Sequence, residues 1–382
     1  MPPIPLLLSA GEASGDMYAA RLAAALAKRL DVQIFGMGGS QMRAAGVDIV
    51  TDYEEVSVVG ITEILKHLPS LLKAMEKIVA EAEHRKPALA ILTDFPGFHL
   101  RLARKLKPRG IRNVYYICPQ FWAWRPWRVN LIRRRFEKAL CIFPFEKKFF
   151  SNVGISTEWI GHPLVGTVTA TKSRKQLCEE TGLVPGTALV TVLPGSRSGE
   201  LAHHLPPLQE ACTRIHARMP AQFIVAAAHP RDIERLKQGW PHGLKVRVVA
   251  GETYNALAAA DAAIVSSGTA TVEAALLDAP MVVVYRVSPL TATLAKPLVR
   301  TPYFAMVNLI AEKKVVPELV QDDFTPDKVA AETLRLLQDP NARSTLRTGL
   351  AEVRTRLGPP GAVDRAADSI ARLLQGYAGN AS

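Results

Sequence analysis

Several things are scarce or missing in this sequence, and each absence narrows what the chain does. No run of about 18 or more apolar residues free of charge occurs, the length a bilayer-spanning helix needs, so no spanning helix is expected. The richest stretch, Tyr254–Tyr285, is interrupted by Asp261, Glu273 and Asp278. The apolar N-terminal run Ile4–Ala10 has no basic residue before it and acidic residues directly after, so it reads as a buried first strand and not as a secretory signal. Cysteine is limited to Cys118, Cys141, Cys178 and Cys212, without a Cys-x-x-Cys pair. That argues against zinc, iron–sulfur and dithiol chemistry and fits buried thiols in a reducing cytoplasm. No Asp-x-Asp pair is present to hold a divalent metal. The dinucleotide fingerprint is incomplete too: Gly36-Met37-Gly38-Gly39 follows a strand-like run, but Gln41 stands where the last glycine belongs, so a structural turn is expected and a nicotinamide cofactor is not. No repeat with a period of about 20–50 residues is visible.

What is present describes a globular protein. The chain has 382 residues, 48% of them hydrophobic and 21% charged, which suits two domains of roughly 150–200 residues each. Strand-like runs at Ile4–Ser9, Val32–Gly36, Ala88–Asp94, Val114–Cys118 and Leu140–Phe143 alternate with helical patterns at Ala19–Leu30, Ile61–Glu83 and Leu100–Lys107. The rhythm restarts with strands at Leu189–Leu193, Phe223–Ala228, Val246–Val249, Ala263–Ser266 and Met281–Tyr285, and helices at Leu201–Arg218, Tyr254–Ala260 and Thr271–Asp278. Such alternation predicts two Rossmann-like, doubly wound parallel α/β sheets facing across a cleft. The expected domains are 1–165, 166–340 and a helical segment 341–382 packing back toward the cleft or the first domain, with the Thr-, Gly- and Pro-rich Gly161–Ser173 as linker.

The net charge is +12, and the segment Arg101–Lys148 alone holds 14 Lys or Arg against Glu137 and Glu146. An anionic partner should therefore meet the first domain. Within that segment, Pro119–Arg128 gathers Phe121, Trp122, Trp124 and Trp127 with Arg125 and Arg128, a mixture suited to a membrane interface, to nucleic acid, or to an aromatic mini-core under a basic helix. Ile61–Met75, with Leu65, Leu68, Leu71 and Leu72 among Lys66, His67 and Lys73, reads either as membrane contact or as a packed helix.

The candidate sites lie at strand ends. Leu193-Pro194-Gly195-Ser196-Arg197 leads into a helix, and its amides, hydroxyl and forked cation suit a diphosphate, or simply a capped helix start. Ser267, Gly268 and Thr269 repeat the arrangement, with Glu273 one turn on, placed either for ribose hydroxyls or to complement the helix dipole. In the first domain, Glu12, Ser14 and Asp16 follow the first strand, where the acids position sugar hydroxyls, with Glu12 or Asp16 as the alternative catalytic base, or Ser14 or Asp16 caps a helix. Asp94, before Pro96, is placed either as a general base on an acceptor hydroxyl or as an Asx-turn. These residues alone leave open a UDP-sugar enzyme of another kind and a non-catalytic basic binding protein.

Ordered blocks add a resemblance. Gly11–Asp16, Asp94-x-Pro96-x-Phe98, Pro119-Gln120-x-Trp122-Ala123-Trp124-Arg125, Phe143–Glu146, Gly161-His162-Pro163, Leu193–Arg197, Ser267–Glu273, Tyr285-Arg286 and Val316–Leu319 resemble the signatures of the lipid-A-disaccharide synthase family. The resemblance implies an inverting GT-B glycosyltransferase that joins UDP-2,3-diacylglucosamine to 2,3-diacylglucosamine 1-phosphate (lipid X) through a β1→6 linkage and releases UDP. It implies no cofactor and no metal, no nucleic-acid partner, an anionic inner-membrane surface met from the cytoplasmic side, and leaves a homodimer open. By resemblance Asp94 takes the essential-carboxylate position, Arg197 and Glu273 contact the nucleotide, and Arg286, Asn308 and Gln321 lie near the donor. Trp122, Trp124, Arg125, Trp127 and Arg128 would meet acceptor or membrane. His99 departs from the family's usual Asn, and Ala311-Glu312 from Ala-Gly.

Overall fold

The structure is a computed structural model describing residues 2–55, 61–122, 126–288, 292–293 and 301–378, without the side chains of 61–68 and 377–378. The chain divides into two compact units, 1–165 with 357–382, and 166–356.

In the first unit, β1 (Ile4–Ala10), β2 (Val32–Gly38), β3 (Asp48–Asp52), β4 (Leu89–Thr93), β5 (Asn113–Tyr116), β6 (Lys138–Cys141) and β7 (Ser156–Trp159) form one sheet in the order β3-β2-β1-β4-β5-β6-β7. Every described pairing is parallel. The helices are α1 (Ala13–Ala27), α2 (Ser40–Ala44), α3 (Ile61–Arg85), α4 (Pro96–Leu106), α5 (Val129–Arg135) and α6 (Pro144–Ser151). Leu7, Phe35, Leu92 and Tyr115 of the strands pack with Ile78 of α3, Leu102 and Leu106 of α4, and Ile132 of α5. Because helices cover both faces of a parallel sheet, its central strands read as nearly unbroken apolar runs.

The second unit repeats the plan. Its sheet runs β10-β9-β8-β11-β12-β13, built from β8 (Ala188–Leu193), β9 (Ala221–Ala227), β10 (Val246–Ala250), β11 (Ala262–Ser266), β12 (Met281–Tyr285) and β13 (Glu318–Val320). Its helices are α7 (Arg174–Thr181), α8 (Ser198–Arg218), α9 (Ile233–Lys237), α10 (Thr253–Ala259), α11 (Thr269–Leu276), α12 (Met306–Ala311), α13 (Pro326–Gln338) and α14 (Pro340–Arg356). The last helix, α15 (Ala362–Ala378), returns to the first unit against α1, where Arg29 pairs with Asp364 and Asp368. The terminal segment expected as one piece therefore divides, α14 staying with the second sheet and α15 with the first.

In each sheet the strand order reverses once, between β1 and β4 and between β8 and β11. Open α/β sheets bind ligands outside the carboxyl ends of their strands at that reversal. Among the described residues no helix is long and apolar enough to cross a membrane.

Candidate active site

At the first reversal, Asp94 leaves β4 in a left-handed conformation with φ of 49°, followed by Phe95 at 45°. Non-glycine residues adopt this region only when their surroundings enforce it. Here the enforcement is visible. A Cβ on Gly11, beyond β1, would lie 2.2 Å from Cδ1 of Phe95, so only glycine leaves room for that ring. The Asp94 carbonyl accepts hydrogen bonds from Tyr115 Oη and His99 Nδ1, both at 2.8 Å. Pro96 opens α4. His99 is fully buried, and burial pushes its pKa down to about 4. A neutral imidazole that donates from Nδ1 must accept at Nε2, and Ser9 Oγ lies 2.8 Å from it.

Asp16 has a different task. Its buried carboxylate accepts the backbone N–H groups of Gly39 at 2.6 Å, Gln41 at 3.0 Å and Met42 at 3.2 Å, so it caps α2 from a distance. Those lone pairs are committed to the fold. Glu12 and Ser14, at the start of α1, are half-buried.

Glu146, absent from the sequence-based candidates, is fully buried beyond β6. Its carboxylate accepts from Trp122 Nε1 and from the backbone N–H groups of Ile142 and Phe143, each at 3.1 Å. Burial pushes its pKa up to about 7, and nearby Asp94 adds to the rise. Trp122, expected at a membrane or acceptor surface, is thus turned inward, with its ring edge-on to Phe145 at 4.8 Å. Among the described residues of the segment, Trp127 is the exposed tryptophan, at 55%. Arg128 lies over the Phe121 ring at 5.2 Å, and Trp124 and Arg125 fall outside the described residues. All four cysteines are buried, and burial raises the thiols of Cys118, Cys141 and Cys212, as inert core groups require.

At the second reversal, Pro194–Arg197 joins β8 to α8, with Ser196 and Arg197 exposed. Gly195 has φ of 122°, and a Cβ there would lie 2.6 Å from Glu200 Oε2. That oxygen accepts from the amides of Ser196 at 3.1 Å and Arg197 at 3.3 Å. The expectation that these amides face a diphosphate is corrected accordingly, since they donate to the helix's own Glu200. The Arg197 guanidinium remains exposed, its side chain at 54% although 3.3 Å from Glu200.

Gly268, with φ of 147° and nothing within 4 Å of a built Cβ, opens the turn after β11, and Thr269 starts α11. Ser267 Oγ donates to Phe304 O at 2.9 Å. Glu273 accepts from Tyr254 Oη at 3.1 Å, and burial raises its pKa.

His204, on α8, joins two of these loops. It donates from Nδ1 to Pro194 O at 2.7 Å and accepts at Nε2 from Arg286 N at 2.9 Å. The Arg286 guanidinium stacks on Phe324 at 5.0 Å and donates to the carbonyls of Gln321 and Phe324. Gln321, itself left-handed at 54°, accepts from Val287 N. Asn308 is buried and spends its amide on Val316 O, Glu318 Oε1, Val315 N and Val316 N. It fixes the loop between α12 and β13, and its amide is fully used in doing so. Glu312 closes α12 with φ of 57°, the conformation a glycine takes without strain.

A family model described as lipid-A-disaccharide synthetase matches residues 6–358. A lipid-A-disaccharide synthase of Solibacter usitatus is 42% identical over 373 residues, 97% of this chain and 98% of that one. Its counterpart in Myxococcus xanthus is 42% identical over 372 residues, 97% of each. Among solved structures, the calicheamicin glycosyltransferase CalG4 superposes with a TM-score of 0.61 at 18% identity, over 99% of this chain and 100% of that one, a likeness of fold.

Proposed function

The chain belongs to the lipid-A-disaccharide synthase family, glycosyltransferases of lipid A biosynthesis with a GT-B fold, and from that premise we propose that it joins UDP-2,3-diacylglucosamine to lipid X through a β1→6 linkage, with inversion at the anomeric carbon. One observation carries the assignment of roles: the strained Asp94 turn and the two small-residue turns each lie at the strand-order reversal of their own sheet. The acceptor 6-hydroxyl attacks the anomeric carbon and gives its proton to the Asp94 carboxylate. The bond from that carbon to the phosphate oxygen breaks with its electron pair, leaving UDP. Arg197 and the amides after Gly268 stabilise the departing charge, and Glu273 accepts from ribose hydroxyls. Asp94 is preferred over Asp16 because the Asp16 oxygens already hold three amides.

No cofactor or metal enters this scheme. The exposed basic helices of the first unit would bring the enzyme to the cytoplasmic face of an anionic inner membrane, where its lipid substrates reside. The test is a mass-resolved assay with UDP-2,3-diacylglucosamine and lipid X, run with wild type and Asp94→Asn, with and without EDTA. Disaccharide 1-phosphate should form with wild type regardless of EDTA, and turnover should fall about 10²-fold or more in the variant, the scale of a general base. Product formation only from water-soluble acceptors would overturn the substrate assignment. Near-wild-type turnover by Asp94→Asn would overturn the base, and loss with EDTA restored by Mg²⁺ would overturn the metal-free scheme.

A further inference from the structure

Two successive left-handed residues at Asp94 and Phe95 store conformational energy of about 1–3 kcal/mol each, at the position where the proposed base leaves its strand. The groups that hold this turn come from three separate elements. Tyr115, on β5, donates to the Asp94 carbonyl. His99, on the first turns of α4, donates to the same oxygen. Ser9, on β1, holds the far nitrogen of that imidazole. Nothing in the packing of a parallel sheet calls for two side-chain donors on one strand-end carbonyl, because an ordinary turn would leave that oxygen to a backbone amide or to water.

We propose that His99 and Tyr115 are positioning residues for the transfer reaction: by clamping the Asp94 carbonyl they fix the left-handed turn and so the direction in which the Asp94 carboxylate leaves the backbone. The inference rests on the reading of Asp94 as the base. Orientation of a catalytic group is worth a great deal, since misplacement by about 1 Å can cost about 10²-fold in rate. Ser9 sets the imidazole's orientation by donating to Nε2, which keeps the proton on Nδ1 where the carbonyl needs it. Burial keeps the ring neutral down to about pH 4, so the clamp holds across the physiological range. An asparagine at position 99 would place an amide N–H where His99 Nδ1 now donates, while a leucine would fill the space and donate nothing.

The experiment compares wild type, His99→Asn, His99→Leu, Tyr115→Phe and Asp94→Asn as full-length enzymes. Each is assayed with both lipid substrates from pH 5 to 9 and for the rise in Tm on adding UDP. His99→Leu should lower kcat about tenfold or more, with KM and the UDP-induced shift near wild type. The acid limb of its kcat profile should move, because the base is no longer held in one environment. His99→Asn should recover most of that loss, and Tyr115→Phe should lower kcat in the same way to a smaller extent. If His99→Leu fails to fold, Tyr115→Phe, which removes one oxygen, decides alone. Folded His99→Leu and Tyr115→Phe with wild-type kcat and pH profile, beside an inactive Asp94→Asn, would overturn the positioning role and leave the base standing. An active Asp94→Asn would overturn the base and this inference with it.

Discussion

A carboxylate held by three N–H donors deep in a domain, as Glu146 is, has its pH behaviour set by the balance of desolvation against hydrogen bonding, and here desolvation wins. Raising a carboxyl from 4.5 to about 7 corresponds to about 3 kcal/mol. The sign follows from proton counts: between those values the folded chain holds a proton that the unfolded chain has released, so stability falls as pH rises toward 7. His99 and His162, held down by burial to about 4 and about 3, act in the opposite direction. Their contribution is present above about pH 6.5 and is lost as the pH falls toward those values. Comparing Glu146→Gln with wild type cancels the histidines, because both chains retain them. Denaturant midpoints should show the variant close to wild type at pH 5 and gaining on it by up to about 3 kcal/mol at pH 8. An equal difference at both pH values would mean that the carboxyl is not buried with a raised pKa. Glu146 does not stand out in the sequence because its burial arises only in the folded domain and one of its hydrogen-bond donors, Trp122, lies 24 positions away, whereas Asp94 announces itself through Pro96.

At the scale of elements, the central strands were legible because burial on both faces writes continuous apolar runs. The missed strands were β3, β7 and β13, Asp48–Asp52, Ser156–Trp159 and Glu318–Val320, all at sheet edges and each containing a charge. Helix α2 was equally hidden, since its N-terminus is capped by Asp16, which belongs to α1. His204 shows why the tie between the loops after β8 and β12 is illegible in the sequence. On α8 it shares the buried stripe of Leu201, Leu205 and Leu208, so periodicity reads it as core, while its partners Pro194 and Arg286 lie 10 and 82 residues away. Replacing it with leucine leaves the buried Pro194 carbonyl and the part-buried Arg286 amide unpaired, the carbonyl costing about 1–3 kcal/mol and the amide less, and frees two loops of the proposed diphosphate side. Calorimetric titration should find UDP bound about tenfold more weakly by His204→Leu, with His204→Gln in between. A variant that melts earlier yet binds UDP as wild type does would reduce this tie to a structural one.

For the whole molecule, the doubling of the α/β rhythm and the boundary near residue 165 were both readable, because each unit must bury its own sheet. What composition did not show was how the charge is arranged. The net +12 of the chain equals the excess within Arg101–Lys148, and folding gathers part of it by packing α4 against α5. Arg101, Arg104, Arg133 and Arg134 are exposed there. Arg135, partly buried, has its pKa lowered first by desolvation and then by repulsion from Arg104, Arg128 and Arg134, the mark of like charges assembled without enough acids between them. Exposed Trp127, just before α5, adds an amphipathic ring of the kind that rests at headgroup depth. A surface that repels itself gains most from an anionic plane, at about 1 kcal/mol for each basic residue near it. Replacing Arg104, Arg133 and Arg134 together by alanine should therefore remove about 3 kcal/mol, roughly a hundredfold in partitioning onto phosphatidylglycerol vesicles. Raised salt should weaken wild-type binding in the same direction, since exposed charges are screened within about 10 Å at 0.1 M, and phosphatidylcholine vesicles should bind neither protein. The UDP-induced rise in Tm must survive in the triple variant, because these arginines lie in the other unit from the proposed nucleotide turns. Equal flotation of wild type and variant on phosphatidylglycerol would sink this surface as the membrane contact.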